Sequence, residues 1–70
     1  MNKDELRGEI VRHGETNSIL AEALGITPRA FSNKINGDYG FTQKEIQAII
    51  DRYKLSAKSV MLIFFTPSAS

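Results

Sequence analysis

Seventy residues carrying nine basic and eight acidic side chains, a net charge of +1 and 41% apolar content allow one small domain with one core. A domain of this size buries only roughly 60% of its unfolded surface, so its stability is modest or is shared with a partner. Without cysteine there is no disulfide or thiolate chemistry, and no apolar run approaches the ~20 residues of a membrane-spanning helix.

Five helices and no strand are readable in chain order. The first is expected from Lys3 to His13, with Leu6 and Ile10 as its buried pair and Gly14 as its stop. Gly8 inside it costs about 1 kcal/mol against alanine, and close packing against a neighbouring helix is its expected reason. His13, near the helix end, is expected to be solvated or to cap rather than to bind metal. The opening stretch MNKDELRGEI is charged and amphipathic, unlike a signal peptide, so the expected location is cytoplasmic.

The stretch TNSILAEALGITPRAFSNKING, Thr16 to Gly37, reads as two short helices joined by a tight turn. Leu20 and Leu24 are four residues apart and share a face, with Ile19 and Ala23 beside them. Gly25 ends the helix in a left-handed C-cap that glycine adopts cheaply. Ile26 plugs the turn, Thr27 is the N-cap of the next helix, and Pro28 suits its first position, where a missing N–H costs nothing. The third helix, Pro28 to Asn36, is expected to bury Phe31 and Ile35, to turn Arg29, Ser32, Asn33 and Asn36 outward, and to stop at Gly37. Capped at both ends and polar on its free face, it has the form that major-groove reading requires.

After a loop containing Asp38, Tyr39 and Gly40, with Tyr39 expected to pack locally or to stack on a sugar–phosphate backbone, the fourth helix begins at a capping box. Thr42 and Glu45 form the box, and Phe41 and Ile46 a hydrophobic staple. Ile46, Ile49, Ile50 and Tyr53 make its core-facing stripe. The fifth helix follows Ser56, with Leu55 and Val60 placed for a second staple, and carries the apolar run Val60 to Phe65. One short helix cannot turn that whole run inward, so part of it completes the core and part is an exposed patch or contact surface. Pro67 ends anything helical. The expected division is a single domain over residues 1–66 and a frayed tail over 67–70.

The segment from Thr16 resembles the helix-turn-helix of the phage repressor and Cro-like (XRE-type) family, in which Leu20, Ala21, Gly25, Ile26, Thr27, Phe31, Ser32 and Gly37 fall in register. Ala21 matches the small residue that lets the two helices approach. Asn17 stands where that family often has glutamine, and Lys34–Ile35 inverts its common order of an apolar residue followed by glutamate. The form SNKING followed by FTQKEI is similar to short regulators of phages from Gram-positive hosts. The resemblance covers about Thr16 to Phe65. It implies an all-α, five-helix, lambda-repressor-like domain in the bacterial cytoplasm and a regulator of a lysis–lysogeny switch.

On this reading Pro28, Arg29, Ser32 and Asn33 are the candidate base contacts. Arginine pairs bidentately with guanine, asparagine with adenine, and proline can press on a thymine methyl. Asn17, Thr27, Lys34, Asn36 and Lys44 are the candidate phosphate contacts, which set register rather than specify sequence. The partner is then a double-stranded DNA operator. A net charge of only +1 leaves three expectations open: a homodimer spanning half-sites about 34 Å apart, weak binding, or action alongside another DNA-binding protein.

The charge distribution motivates a second reading. Residues 1–27 hold three basic and five acidic side chains, a net −2, whereas residues 28–70 hold six basic and three acidic ones, a net +3. An acidic front half and an apolar end suit a modulator that binds a phage repressor protein. Asp4, Glu5, Glu9, Glu15 and Glu22 would meet the repressor's basic face, and Met61, Phe64 and Phe65 would add apolar contact. The ordinary reading of those acids is a solvated helix surface. An enzyme is not expected: there is one histidine, no carboxylate cluster at metal-ligand spacing and no glycine-rich phosphate loop after a strand. No cofactor, metal, membrane or small-molecule substrate is expected.

Overall fold

Local capping chemistry starts each helix of the described residues. In the computed structural model, which describes residues 1–37 and 40–65, five helices follow in order: α1 (Lys3–Arg12), α2 (Asn17–Leu24), α3 (Pro28–Ile35), α4 (Gln43–Tyr53) and α5 (Ala57–Phe64). The described residues contain no strand. Each helix is preceded by an extended residue whose side-chain oxygen accepts from free N–H groups of the first turn: Asn2, Thr16, Thr27, Thr42 and Ser56. Asn2 also donates its own N–H to the Ile63 carbonyl at 2.7 Å, which ties the start of α1 to α5.

The first two helices end alike. After α1, Gly14 adopts φ +69 while the Glu15 N–H reaches the Ile10 carbonyl and the Gly14 N–H that of Val11. After α2, Gly25 adopts φ +74 while the Ile26 N–H reaches Ala21 and the Gly25 N–H reaches Glu22. Both are Schellman ends, and the left-handed residue in each is glycine because a side chain there meets its own carbonyl. The first helix therefore stops at Arg12, and His13 is its C-cap.

Every helix contributes to one core: Leu6 and Ile10, Leu20 and Ala21, Phe31 and Ile35, Ile49 and Tyr53, and Ile63 are all buried. Leu24, Ile26, Phe41, Leu55 and Phe64 pack against its margin. Helix α2 lies against α3 and α4, and α1 against α5. Ala21 is fully buried at the crowded side of α2, as a small residue between closely packed helices should be.

Three expectations about packing are corrected. Ile19 and Ala23 are exposed, so the inward arc of α2 runs from Leu20 through Leu24 to Ala21; at 100° per residue Ile19 and Ala23 lie on the other side of Leu20, away from Ala21. Gly8 is not a close-approach residue, because a Cβ built there meets no heavy atom within 4 Å. In α5, Ile63 is buried and Val60 and Phe64 are half-buried, whereas Met61, Leu62 and Phe65 are exposed. Phe64 thus belongs to the core margin rather than to an outer contact surface.

Candidate nucleic-acid interface

The turn Gly25-Ile26-Thr27 sets how α3 is presented. Gly25 reverses the chain, half-buried Ile26 anchors the turn on the core, and the Thr27 hydroxyl accepts from the Ala30 N–H at 3.0 Å. Pro28 occupies the first position of α3, as its spacing implied. Phe31 and Ile35 fix the inner face, with the Phe31 ring tilted against Phe41 at a centroid separation of 5.6 Å. Phe41, placed in the sequence as half of a staple, is thereby also a clamp between the chain entering α4 and the centre of α3.

What remains of α3 faces outward. Pro28, Arg29 and Ser32 are exposed, Asn33 is half-buried, and Asn36, exposed, is the C-cap of the helix. Among the described residues, none of the side chains of Arg29, Ser32, Asn33 and Asn36 makes a hydrogen bond or ion pair. Within the described residues their donors and acceptors are thus left to solvent or to a ligand. Gly37 follows at φ +92, so the expected stop holds one residue beyond the cap.

The expected phosphate contacts divide. Asn17, the first residue of α2, is half-buried, and Thr16 rather than Asn17 performs the capping there. Thr27 is exposed, and its oxygen is used within the fold while its hydrogen stays available to donate. Lys44 is exposed in the first turn of α4.

Lys34 is engaged within the fold. Its ammonium pairs with Glu45 Oε1 at 3.1 Å and donates to the Gly40 carbonyl at 3.3 Å, with only 16% of the side chain exposed. The same Glu45 oxygen accepts the Thr42 N–H at 2.8 Å, and the Glu45 N–H donates to the Thr42 hydroxyl, completing the capping box. Burial pushes the Glu45 carboxyl up, but the Thr42 N–H and Lys34 outweigh it and hold the carboxyl below its usual range.

The acidic surface is also smaller than the sequence implies. Glu15 takes a two-pronged bond from Arg52, at 2.9 Å from Nε and 2.5 Å from Nη2, and accepts the Tyr53 hydroxyl at 2.8 Å. Arg52 first and Tyr53 second hold the Glu15 carboxyl below its usual range, and burial first and Glu15 second push the Tyr53 phenol up. His13 stacks on Tyr53 with centroids 4.5 Å apart and approaches the Glu9 carbonyl through Nδ1 at 2.9 Å, which is the capping role expected of it. Glu9 is buried and pairs with Arg12. Glu15 and Glu9 therefore hold the fold together, leaving Asp4, Glu5 and Glu22 exposed.

At the opposite end, Phe65 lines a small open groove with Gln43, Ile46 and Gln47 of α4. Phe65 is 65% exposed and Met61 58%. Tyr39, Pro67 and the tail over 67–70 lie outside the described residues. The sequence reading missed the N-cap at Asn2, although Asn-x-x-Glu before an amphipathic run is a legible start signal. It also missed the roles of Arg52 and Tyr53 at Glu15, which no local pattern signals. Among the described residues there is no group of three or more His, Cys, Asp or Glu able to hold a metal, and no helix long and apolar enough to cross a membrane.

No curated protein and no solved structure matches this chain. One family model does, over residues 2–67, and the chain belongs to that family, described as a protein of unknown function, DUF739.

Proposed function

We propose that this protein is a sequence-specific DNA-binding transcriptional regulator of the Cro-like, XRE type, acting in a phage or prophage switch in the bacterial cytoplasm, and not an enzyme. The observation that carries the reading is the outer face of α3: among the described residues the side chains of Arg29, Ser32 and Asn33 make no hydrogen bond or ion pair, on a capped helix whose inner face is locked into the core. In the major groove these side chains would read base edges, with Pro28 against a thymine methyl. Asn17, Thr27, Asn36 and Lys44 would set the register through phosphates. The largest Cα extent of one copy is 26 Å, shorter than the ~34 Å between half-sites on one face of the duplex, so a two-half-site operator needs two copies.

The test is selection from a randomised duplex pool by the purified protein alone at about 150 mM salt, with Arg29→Ala as control, since affinity is meaningful only at a stated salt concentration. Enrichment of a defined motif that the variant loses supports direct reading. A folded protein that enriches nothing overturns it.

A second reading is favoured by one observation, the exposed apolar group Met61, Leu62 and Phe65 at the end of α5. In this reading the protein is a modulator that binds a phage repressor, with Glu22, Asp4 and Glu5 as the acids still available. Operator binding without a second protein separates the two readings. Glu22→Lys is the suitable charge reversal, because Glu15→Lys would break the tie to Arg52 and Tyr53.

A further inference from the structure

Lys34 is the one cation of α3's C-terminal turn, and its direction departs from what its place on a groove-reading helix would suggest. It points along the protein surface to α4, where its ammonium lies 3.1 Å from Glu45 Oε1 and 3.3 Å from the Gly40 carbonyl. Both side chains of the pair are largely enclosed, 16% and 13% exposed. The Glu45 oxygen that receives Lys34 is the one that receives the Thr42 N–H at 2.8 Å. One carboxylate thus serves two partners, the end of α3 and the start of α4, and Lys34 additionally holds the chain at Gly40 between them. The Phe31–Phe41 ring pair fastens the same two elements from the core side.

We propose that Lys34 is a positioning residue for the DNA interface rather than a phosphate ligand: by bridging Glu45 and the Gly40 carbonyl it fixes the start of α4, with exposed Lys44, relative to Arg29, Ser32 and Asn33 on α3. The proposal rests on α3 being the DNA-reading helix and assigns how that face is aligned with its neighbouring cation. A side chain already neutralised by an enclosed carboxylate releases no counterion from DNA, whereas a side chain that neutralises a phosphate contributes about 0.9 to the slope of log K against log salt.

The experiment measures binding of the full chain to its selected duplex over a range of salt for wild type, Lys34→Met, the charge-conserving double variant Lys34→Met with Glu45→Gln, and Lys44→Ala. The amide introduced by Glu45→Gln keeps an oxygen for the Thr42 N–H, and the double variant keeps the wild-type net charge. Thermal melting establishes that each variant is folded. The expected result is a several-fold loss of specific affinity for Lys34→Met, a loss that persists in the double variant because neither new side chain remakes the bridge to Gly40 and α4, and a wild-type slope in the double variant. Recovery of wild-type affinity in the double variant overturns the positioning role. Lys44→Ala is expected to lower the slope by about 0.9 per bound copy. A folded double variant whose slope falls by that same amount overturns the proposal and makes Lys34 a phosphate ligand. A folded wild type that binds no duplex overturns the DNA reading of α3, and this assignment with it.

Discussion

Replacing Gly8 by alanine should stabilise the protein. Gly8 sits mid-way along α1 and is absent from the positive-φ residues, so its backbone demands nothing that only glycine can give. An added Cβ meets no heavy atom within 4 Å. Glycine in a helix interior lies about 0.8–1.0 kcal/mol below alanine, because the unfolded chain has more freedom to lose. For a domain of this length that gain raises Tm by roughly 4–8 °C. Gly25→Ala is the matched control: its Cβ also enters open space, but the residue sits at φ +74 in the Schellman end of α2. There alanine should cost about 1 kcal/mol. Far-UV circular dichroism melts and urea midpoints with unchanged m-values measure both. The reasoning fails if Gly8→Ala lowers Tm, or if the two substitutions shift it in the same direction, since space is equal at the two sites and only backbone conformation differs.

Arg29→Ala and Asn33→Ala should each weaken binding to the selected duplex by ~1–3 kcal/mol without changing the melting temperature; wild-type affinity in both would mean that this face does not read DNA. Thr42→Ala, which removes the acceptor for the Glu45 N–H, should lower stability by about 1 kcal/mol in urea unfolding, and an unchanged midpoint would show that the capping box contributes nothing. Because Arg52 and Tyr53 hold the folded Glu15 carboxyl below its unfolded value, its contribution is fully present above the ordinary carboxylate range and is lost as pH falls through the folded value. Glu15→Gln should therefore be less stable than wild type at neutral pH and should lose less on acidification, measured as urea midpoints from neutral to acidic pH; parallel curves for the two proteins would contradict this.

The helices were legible because the signals that start and stop them are local. Thr27-Pro28, Thr42-x-x-Glu45 and the glycines at 14 and 25 act within a few residues of themselves, and each operates as its spacing implied. The buried pairs Leu6 and Ile10, Phe31 and Ile35 followed from helical periodicity for the same reason. Errors arose where a reading needed the neighbour's position. Gly8 looked like a packing residue, but whether a helix approaches it depends on the tertiary arrangement. Ile19, placed beside the Leu20–Leu24 face, is exposed, because the inward arc of an eight-residue helix is narrower than its apolar content. Phe64 and Phe65 are adjacent in sequence, yet one packs on the core and the other is largely exposed, because consecutive residues of a helix point 100° apart.

Charge is where sequence and surface differ most, and this bears on how the protein would hold DNA. Of nine basic side chains, Arg12, Lys34 and Arg52 are ion-paired within the fold, through partners that include residues 11 and 37 positions away. Pairing at those separations leaves no periodic trace. On α3 and the first turn of α4 it leaves Arg29 and Lys44 as the exposed cations. At about 0.9 per neutralised phosphate, two such contacts give a salt slope of only about −2 for one copy. So shallow a slope means that little of a single copy's affinity would come from counterion release, the term that supplies most non-specific binding. Tight and selective binding would then depend on base contacts from Arg29, Ser32 and Asn33, and on a second bound chain to double them. The exposed Met61, Leu62 and Phe65 are the apolar surface from which such a chain could gain its hold. A regulator built this way would respond to its own concentration, or to that of a partner protein, more steeply than to salt.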